Sequence, residues 1–163
     1  MTATVRSTLA ETDISHSTSN DLDDVRALFH EYAASLPFDL GFQAFERELA
    51  ELPGAYAPPR GVLLIARTRG EAIGCVALRP LDAQTCELKR LYVRPAGRSA
   101  GTGRALTERA LAEARRLGYR RIRLDTVPGM EQAQSLYARL GFREVAPYVV
   151  NPIAGARFLE LEL

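Results

Sequence analysis

The sequence predicts one α/β domain built on a mixed, mostly antiparallel sheet of six to seven strands, flanked by about four helices. Three observations lead there. The chain has 163 residues, 47% of them hydrophobic and 25% charged, which suits a single globular domain and argues against disorder or a fibrous repeat. The apolar period changes from helical to alternating near residue 62 and returns to helical near residue 101. Finally, three successive alternating runs are joined by connections too short for a helix and must meander antiparallel. The third of them and the next alternating run bracket one helix, so those two can pair in parallel through a right-handed crossover.

The elements follow in order. Residues 1–10 are rich in Thr and Ser, without periodicity, and are expected to be a flexible N-terminus ahead of a domain spanning 11–163. Residues 14–17 suit a short strand. Ser19 or Asn20 is placed to cap a helix whose first turn carries Asp21, Asp23 and Asp24, acids that complement its dipole. Leu22, Val25, Phe29, Tyr32, Ala33 and Leu36 continue at helical spacing until Pro37. A second helix carries Phe42, Phe45, Leu49 and Leu52 and stops at Pro53-Gly54. Residues 62–67, 72–81 and 85–93 read as the three meandering strands, and 101–117 as a helix that Gly118 terminates in the left-handed region. A strand over 121–127 follows, then a short helix presenting Ala133, Leu136, Tyr137 and Leu140. Strands over 143–149 and 157–163 close the chain.

Lys plus Arg is 21 and Asp plus Glu is 20, so the net charge is +1. A nucleic-acid binder would show a larger basic excess. No apolar run approaches the ~20 residues that span a bilayer, and no leader-like segment opens the chain, so a cytoplasmic protein with neither membrane nor nucleic acid as partner is expected. Cys75 and Cys86 sit in strand-like text and suit buried, reduced thiols. His16 and His30 are isolated, and no metal is expected. The small net charge hides an asymmetry. Residues 1–60 carry −6, and residues 87–123 carry +8.

The densest glycine and arginine cluster is Gly97-Arg98-Ser99-Ala100-Gly101-Thr102-Gly103-Arg104, between a strand and a helix. Amides at a helix N-terminus are unsatisfied, and glycines let a phosphate approach them, so this is a candidate pyrophosphate cradle. It is not a Walker A loop, because the Gly-Lys-Ser/Thr end is absent. It lacks the small residue of the dinucleotide fingerprint, since position 106 is Leu.

The stretch ELKRLYVRPAGRSAGTGRAL at 87–106, with LYARLGF at 136–142, resembles the general-control-related N-acetyltransferase (GNAT) superfamily. That family's phosphate loop, Arg or Gln, two residues, Gly, one residue, Gly or Ala, is matched by Arg98 to Gly103, and Val93-Arg94-Pro95 matches the strand end before it. Met130 departs from the Asn common near the start of the last helix, and Ser99-Ala100 from the more usual Gly and basic residue. The segments at 32–61 and 147–163 look like a broad bacterial branch of that superfamily. The resemblance implies a GNAT fold with splayed fourth and fifth strands and acetyl-CoA as cosubstrate. It puts the backbone of Leu91, Tyr92 and Val93 along the pantetheine arm, and Arg98, Ser99, Ala100, Gly101, Thr102, Gly103 and Arg104 around the pyrophosphate. Arg94 is a further candidate for a direct contact, and the +8 block would supply a matching field.

The implied reaction is attack of an amine on a thioester. An alkylamine is only about a thousandth neutral at pH 7, so a proton must be removed. The resemblance points to Glu87 as the base, usually acting through water; the alternative is an exposed strand carboxylate paired with Lys89 or Arg90. Tyr137 stands where the family places its general-acid tyrosine, and it also fits core packing with Leu136 and Leu140. A backbone N–H at Leu91 or a neighbour would stabilise the oxyanion. For the acceptor, Asp39, Glu46 and Glu48 offer negative charge to a cationic amine, and Tyr32, Phe38, Phe42, Tyr56 and Tyr148 offer walls. A small-molecule primary amine is the expected acceptor. A protein lysine or N-terminal amine, or a silent acyl-CoA-binding module, are the alternatives, and the family makes a homodimer an expectation.

Overall fold

A computed structural model describes residues 11–163, apart from the side chains of Phe42, Gln43 and Ser99. The expected flexible N-terminus lies outside the described residues. Seven strands form one sheet in the order β1-β2-β3-β4-β5-β7-β6. They are β1 (Thr12–His16), β2 (Val62–Thr68), β3 (Glu71–Pro80), β4 (Thr85–Val93), β5 (Arg121–Thr126), β6 (Arg143–Val145) and β7 (Arg157–Glu162). The β2-β3-β4 meander is antiparallel, and β4 and β5 are the one parallel pair among the described residues. The four α-helices are α1 (Leu22–Ala34), α2 (Phe45–Glu51), α3 (Thr102–Arg116) and α4 (Glu131–Arg139).

The alternating strand pattern sorts the core into two layers. Leu64, Val76, Leu78, Cys86, Leu88, Ile122 and Leu124 point to one face and meet Leu106, Ala110 and Ala114 of α3 and Tyr137 of α4. Leu63, Ile65, Cys75 and Ala77 point to the other and meet Val25, Leu28 and Phe29 of α1 and Phe45 and Leu49 of α2. α3 can lie on the sheet because its apolar residues recur every three to four positions, covering one stripe.

Several boundaries differ from the sequence reading. Thr18, not Ser19 or Asn20, begins the first helical segment. It shares a capping box with Asp21 over a 3-10 turn that runs into α1. α1 ends at Ala34, where the Ser35 hydroxyl donates to the Tyr32 carbonyl at 2.6 Å. The second helix starts only at Phe45, because Ala44 adopts a left-handed conformation (φ 54°) that breaks it from the 3-10 turn over Leu40–Gln43. The strand expected over 143–149 stops at Val145. Pro147 has no N–H for a ladder, and residues 146–156 cross the sheet end as a loop.

One irregularity positions the site. Cys75 pairs with Tyr92 and Ala77 with Lys89, so Val76 of β3 faces two residues of β4. This is a β-bulge, and Arg90 within it holds φ 60°. Opposite its end lies Gly74, where a Cβ would sit 2.9 Å from the Tyr92 carbonyl oxygen. A side chain there would push the bulged strand away.

Candidate active site

β4 and β5 hydrogen-bond only where Thr85–Glu87 faces Arg121–Arg123. Past Glu87 the two strands part, and the β5-side edge of β4 from Leu88 onward has no ladder partner among the described residues. A cleft of about 620 Å³ opens there. One wall is Leu91, Tyr92 and Val93 with Arg98 and Gly103. The other is Pro128, Gly129, Met130, Ala133 and Leu136, and Tyr32, Leu36 and Pro37 also line the cleft.

The loop before α3 forms the cleft's basic corner. Pro95–Ala100 is a 3-10 turn, and Gly101 (φ 76°) turns the chain into α3 with no atom within 4 Å of where its Cβ would be. At Gly103 a Cβ would meet only Val93, at 3.8 Å. The first amides of α3 are therefore presented to open space, and the helix dipole favours an anion there. The Thr102 hydroxyl oxygen is buried without a hydrogen-bond partner. Arg98 donates Nε–H to the Val93 carbonyl at 2.9 Å, and its guanidinium lies 5.9 Å from the Tyr92 ring.

A family model described as the acetyltransferase (GNAT) family matches residues 25–142. An N-acetyltransferase of Schizosaccharomyces pombe is 40% identical over 145 residues, covering 88% of this chain and 89% of its own length. The chain belongs to the GNAT family. It is an N-acetyltransferase by that membership, and relatives in a yeast mean the resemblance is not confined to bacteria. The fold agrees. A GNAT acetyltransferase of Staphylococcus aureus superposes with a TM-score of 0.79 at 19% identity, over 93% of this chain and 99% of its own. An acetyltransferase of Salmonella typhimurium, solved with its cofactor acetyl-CoA, does so at 0.67 and 21%, over 93% of each chain.

In this acetyltransferase the residues singled out for the cofactor share one region, with Leu91, Tyr92, Val93, Arg98 and Gly103 lining the cleft. Several other cations of the basic block are already paired. Arg104 pairs with Glu108 one turn along α3 at 2.9 Å. Arg94 donates to Glu31 at 2.9 Å and to the Ala72 carbonyl at 2.7 Å. Arg90 makes a two-pronged pair with Glu48, at 2.8 and 3.0 Å. Part of the charge asymmetry is thus used in two ion pairs that fasten α1 and α2 to the sheet, Arg94 to Glu31 and Arg90 to Glu48. Of the acids expected to meet an acceptor, Glu48 serves Arg90, and Asp39 caps the Leu40–Gln43 turn through the Gly41 amide. Glu46 is exposed in the first turn of α2.

The expected wall residues separate as well. Tyr32 lines the cleft, its ring edge-on to Tyr92 at 6.5 Å. Phe38 packs on the α1–α2 core. Tyr56 is only 3% exposed, edge-on to Phe29, and belongs to that core. The side chain of Phe42, like that of Ser99, lies outside the described residues.

Glu87 is not an exposed strand carboxylate. It is 1% exposed, and Arg79 across the β3–β4 pair donates to its Oε1 at 2.7 Å. Lys89 stands 3.8 Å from the same oxygen. The Tyr148 hydroxyl donates to Oε2 at 2.7 Å. Arg90 does not pair with Glu87, because the bulge turns it toward α2, beneath the rings of Tyr32 and Phe45. Tyr137 is buried with its ring 5.5 Å from Phe142. Burial first, then the nearby Tyr32 and Asp125, push its phenol well above the ordinary value and keep it protonated. The two cysteines are fully buried, and burial pushes both thiols up to about 12. Cys86 faces the α3 side of the sheet, opposite Glu87.

Sequence reasoning missed Arg79, although it lies eight residues before Glu87 across a tight turn and so falls opposite it in the hairpin register. It also missed the cleft wall supplied by residues 128–133. At Met130 the sulfur receives the Thr126 hydroxyl at 3.9 Å, and Gln134 donates to the Val127 carbonyl at 3.0 Å, tying the start of α4 to β5. Nothing in local periodicity signals either contact.

Proposed function

We propose that the protein moves an acetyl group from acetyl-CoA to a primary amine of a small molecule, by direct transfer between two bound substrates. The observation that carries this reading is the parted β4–β5 edge opening beside the unsatisfied amides of α3. The residues present suit such a cosubstrate. The ladder edge at Leu91–Val93 fits an amide-bearing arm. The 98–103 loop, the unpartnered Thr102 hydroxyl and Arg98 fit its phosphates. Bound acetyl-CoA supplies the thioester.

The chain's own groups supply the rest. A backbone N–H near Leu91 lies on the free edge and can stabilise the oxyanion. Tyr137, kept protonated by burial, is the donor to the leaving sulfur. Glu87 is where the amine's proton ends. Direct transfer fits better than a cysteine relay, because thiols raised to about 12 and closed to solvent make poor nucleophiles. Holding two substrates in register contributes to rate independently of any proton transfer. A small acceptor agrees with a cleft of about 620 Å³ that Tyr32, Leu36 and Pro37 help to line.

The test is thiol release from acetyl-CoA over polyamines, amino acids, arylalkylamines, aminoglycosides and lysine peptides. Release with a small amine and not with peptides is expected. With that acceptor, Tyr137→Phe is expected to lower kcat at least about tenfold. An unchanged rate would remove Tyr137 from the acid role.

A further inference from the structure

Both oxygens of Glu87 are already engaged, and the side chain is enclosed. It is 1% exposed, Oε1 holds Arg79 at 2.7 Å, and Oε2 holds the Tyr148 hydroxyl at 2.7 Å. Arg79 does not give up protons, and Lys89 stands 3.8 Å away, beyond hydrogen-bond range. Among these neighbours only a phenol both donates to Glu87 and keeps lone pairs to accept from a further group. Tyr148 is also the more accessible member of the pair, half-buried where Glu87 is enclosed.

Its position is well determined. The ring stands edge-on to Phe158 of β7 at 5.6 Å, and the Arg123 guanidinium of β5 covers it at 5.5 Å. Further along the same loop, Asn151 donates to Asp125 of β5 at 3.0 Å and accepts from the Ile153 amide at 3.0 Å. The loop is thus pinned to β4 by Tyr148 and to β5 by Asn151, on either side of the line where the strands part. The charged groups facing the Glu87–Tyr148 pair are Arg79 on β3, Lys89 on β4, and Arg123 and Asp125 on β5. Burial, then the negative charge of Glu87, keep the phenol protonated, so it acts as an intact O–H and not as a standing phenolate.

We propose that Tyr148 is the catalytic residue that receives the amine, passing its proton to Glu87 through the phenol in place of a water. This rests on the acetyl-transfer reading above. The arriving ammonium first gives one proton to Tyr148 Oη, which frees the nitrogen lone pair to bond the acetyl carbon; as the carbon–sulfur bond breaks, the nitrogen's second proton leaves to solvent. Tyr148's own proton moves to Glu87 Oε2, and the leaving sulfur takes a proton from Tyr137. Glu87 afterwards releases its proton outward by the same hydroxyl, and Tyr137 regains one from solvent. Glu87 is then a positioning and proton-holding residue that never touches the substrate, and Arg79 fixes the carboxylate for it.

The experiment uses the acceptor amine found by thiol release. Tyr148→Phe removes one oxygen and keeps the ring against Phe158. It is expected to lower kcat/KM for the amine about a hundredfold at pH 7. Acetyl-CoA binding, read by calorimetry, stays unchanged. Activity recovers toward wild type as pH rises toward about 10.4, where about half of the amine arrives neutral. Glu87→Gln reproduces the loss and the pH response, and the double variant is no worse than the poorer single one. An unchanged rate and pH profile in Tyr148→Phe overturns the relay, as do losses that multiply in the double variant. A wild type that binds acetyl-CoA but releases no thiol with any amine overturns the transfer reading itself.

Discussion

The two faces of the sheet are built on different principles. Under α3 and α4 the side chains meeting the sheet are almost all aliphatic or aromatic. On the opposite face the apolar layer under α1 and α2 gives way toward β4 to buried charge at Glu87, Lys89 and Arg90, which are 1, 8 and 3% exposed. The part of the cleft proposed for the cofactor is built from backbone, as a free ladder edge and the first amides of α3. The charged face, where the acceptor is proposed to meet the chain, is built from side chains that travel far in sequence to meet. Arg90 and Glu48 are 42 residues apart, Glu87 and Tyr148 are 61, and Arg94 and Glu31 are 63. A backbone site tolerates many side chains and can be reused with different acceptors, whereas a paired-charge site commits the chain to one set of partners.

The largest effect is expected where this charge is broken on one side only. Arg90→Ala leaves the largely buried Glu48 without its cation. Such a loss costs about 3–5 kcal/mol. Urea unfolding would read it, and acetyl-CoA affinity should fall as well, since the bulge leads straight into Leu91–Val93. Replacing both partners, Arg90→Met with Glu48→Leu, should restore most of the stability, because shape is kept and no charge is stranded. If the double variant is as unstable as the single one, the pair holds the fold by something more than mutual neutralisation.

The opposite face answers a different substitution. Leu106 is fully buried between α3 and the sheet. Leu106→Ala should cost about 3 kcal/mol through lost transfer energy and a residual cavity. The kcat for the acceptor amine should stay nearly unchanged, since no charged contact moves. A large fall in kcat at constant acetyl-CoA affinity would show that the two faces are mechanically coupled.

The same contrast explains what was legible in the sequence. The meander, the crossover and α3 were readable because each depends on local period and turn chemistry. The phosphate loop was readable because Arg98 to Gly103 is contiguous. The acceptor side was not. Reading strict alternation through β4 assigns Arg90 to the α3 face with Leu88. Only the two-for-one pairing opposite Val76, with Arg90 at φ 60°, turns it to Glu48. Glu87 was legible as a candidate, but its partners Arg79 and Tyr148 depend on hairpin register and on the path of a loop that Pro147 frees from the sheet. Composition could not show which charges meet one another. A −6 front and a +8 middle looked like two binding fields, yet Arg67 joins Asp21 and Asp24, Arg90 joins Glu48, and Arg94 joins Glu31.

The smallest effect belongs to the charge that interrupts the apolar side. Glu113 of α3 is 7% exposed, yet its partners are close at hand. Arg109 and Arg116, one turn away on the same helix, lie at 3.2 and 2.8 Å, and His16 of β1 at 3.2 Å. Burial pushes the carboxyl up, but hydrogen bonds from Arg116, His16 and Arg109 together outweigh it, so the group sits below its ordinary value of 4.5. A carboxylate depressed in the folded state stabilises above the unfolded value, and that contribution is lost as pH falls through the folded value. Glu113→Gln should therefore cost about 1 kcal/mol at pH 7, because the partners are largely solvated and screening limits each pair. The cost should shrink toward zero at an acidic pH beneath that depressed folded value, where wild-type Glu113 is itself protonated. Urea midpoints at the two pH values decide it. A penalty that persists in acid would mean Glu113 holds β1 to α3 by shape and not by charge, making even this local cluster resemble the long-range pairs of the acceptor face.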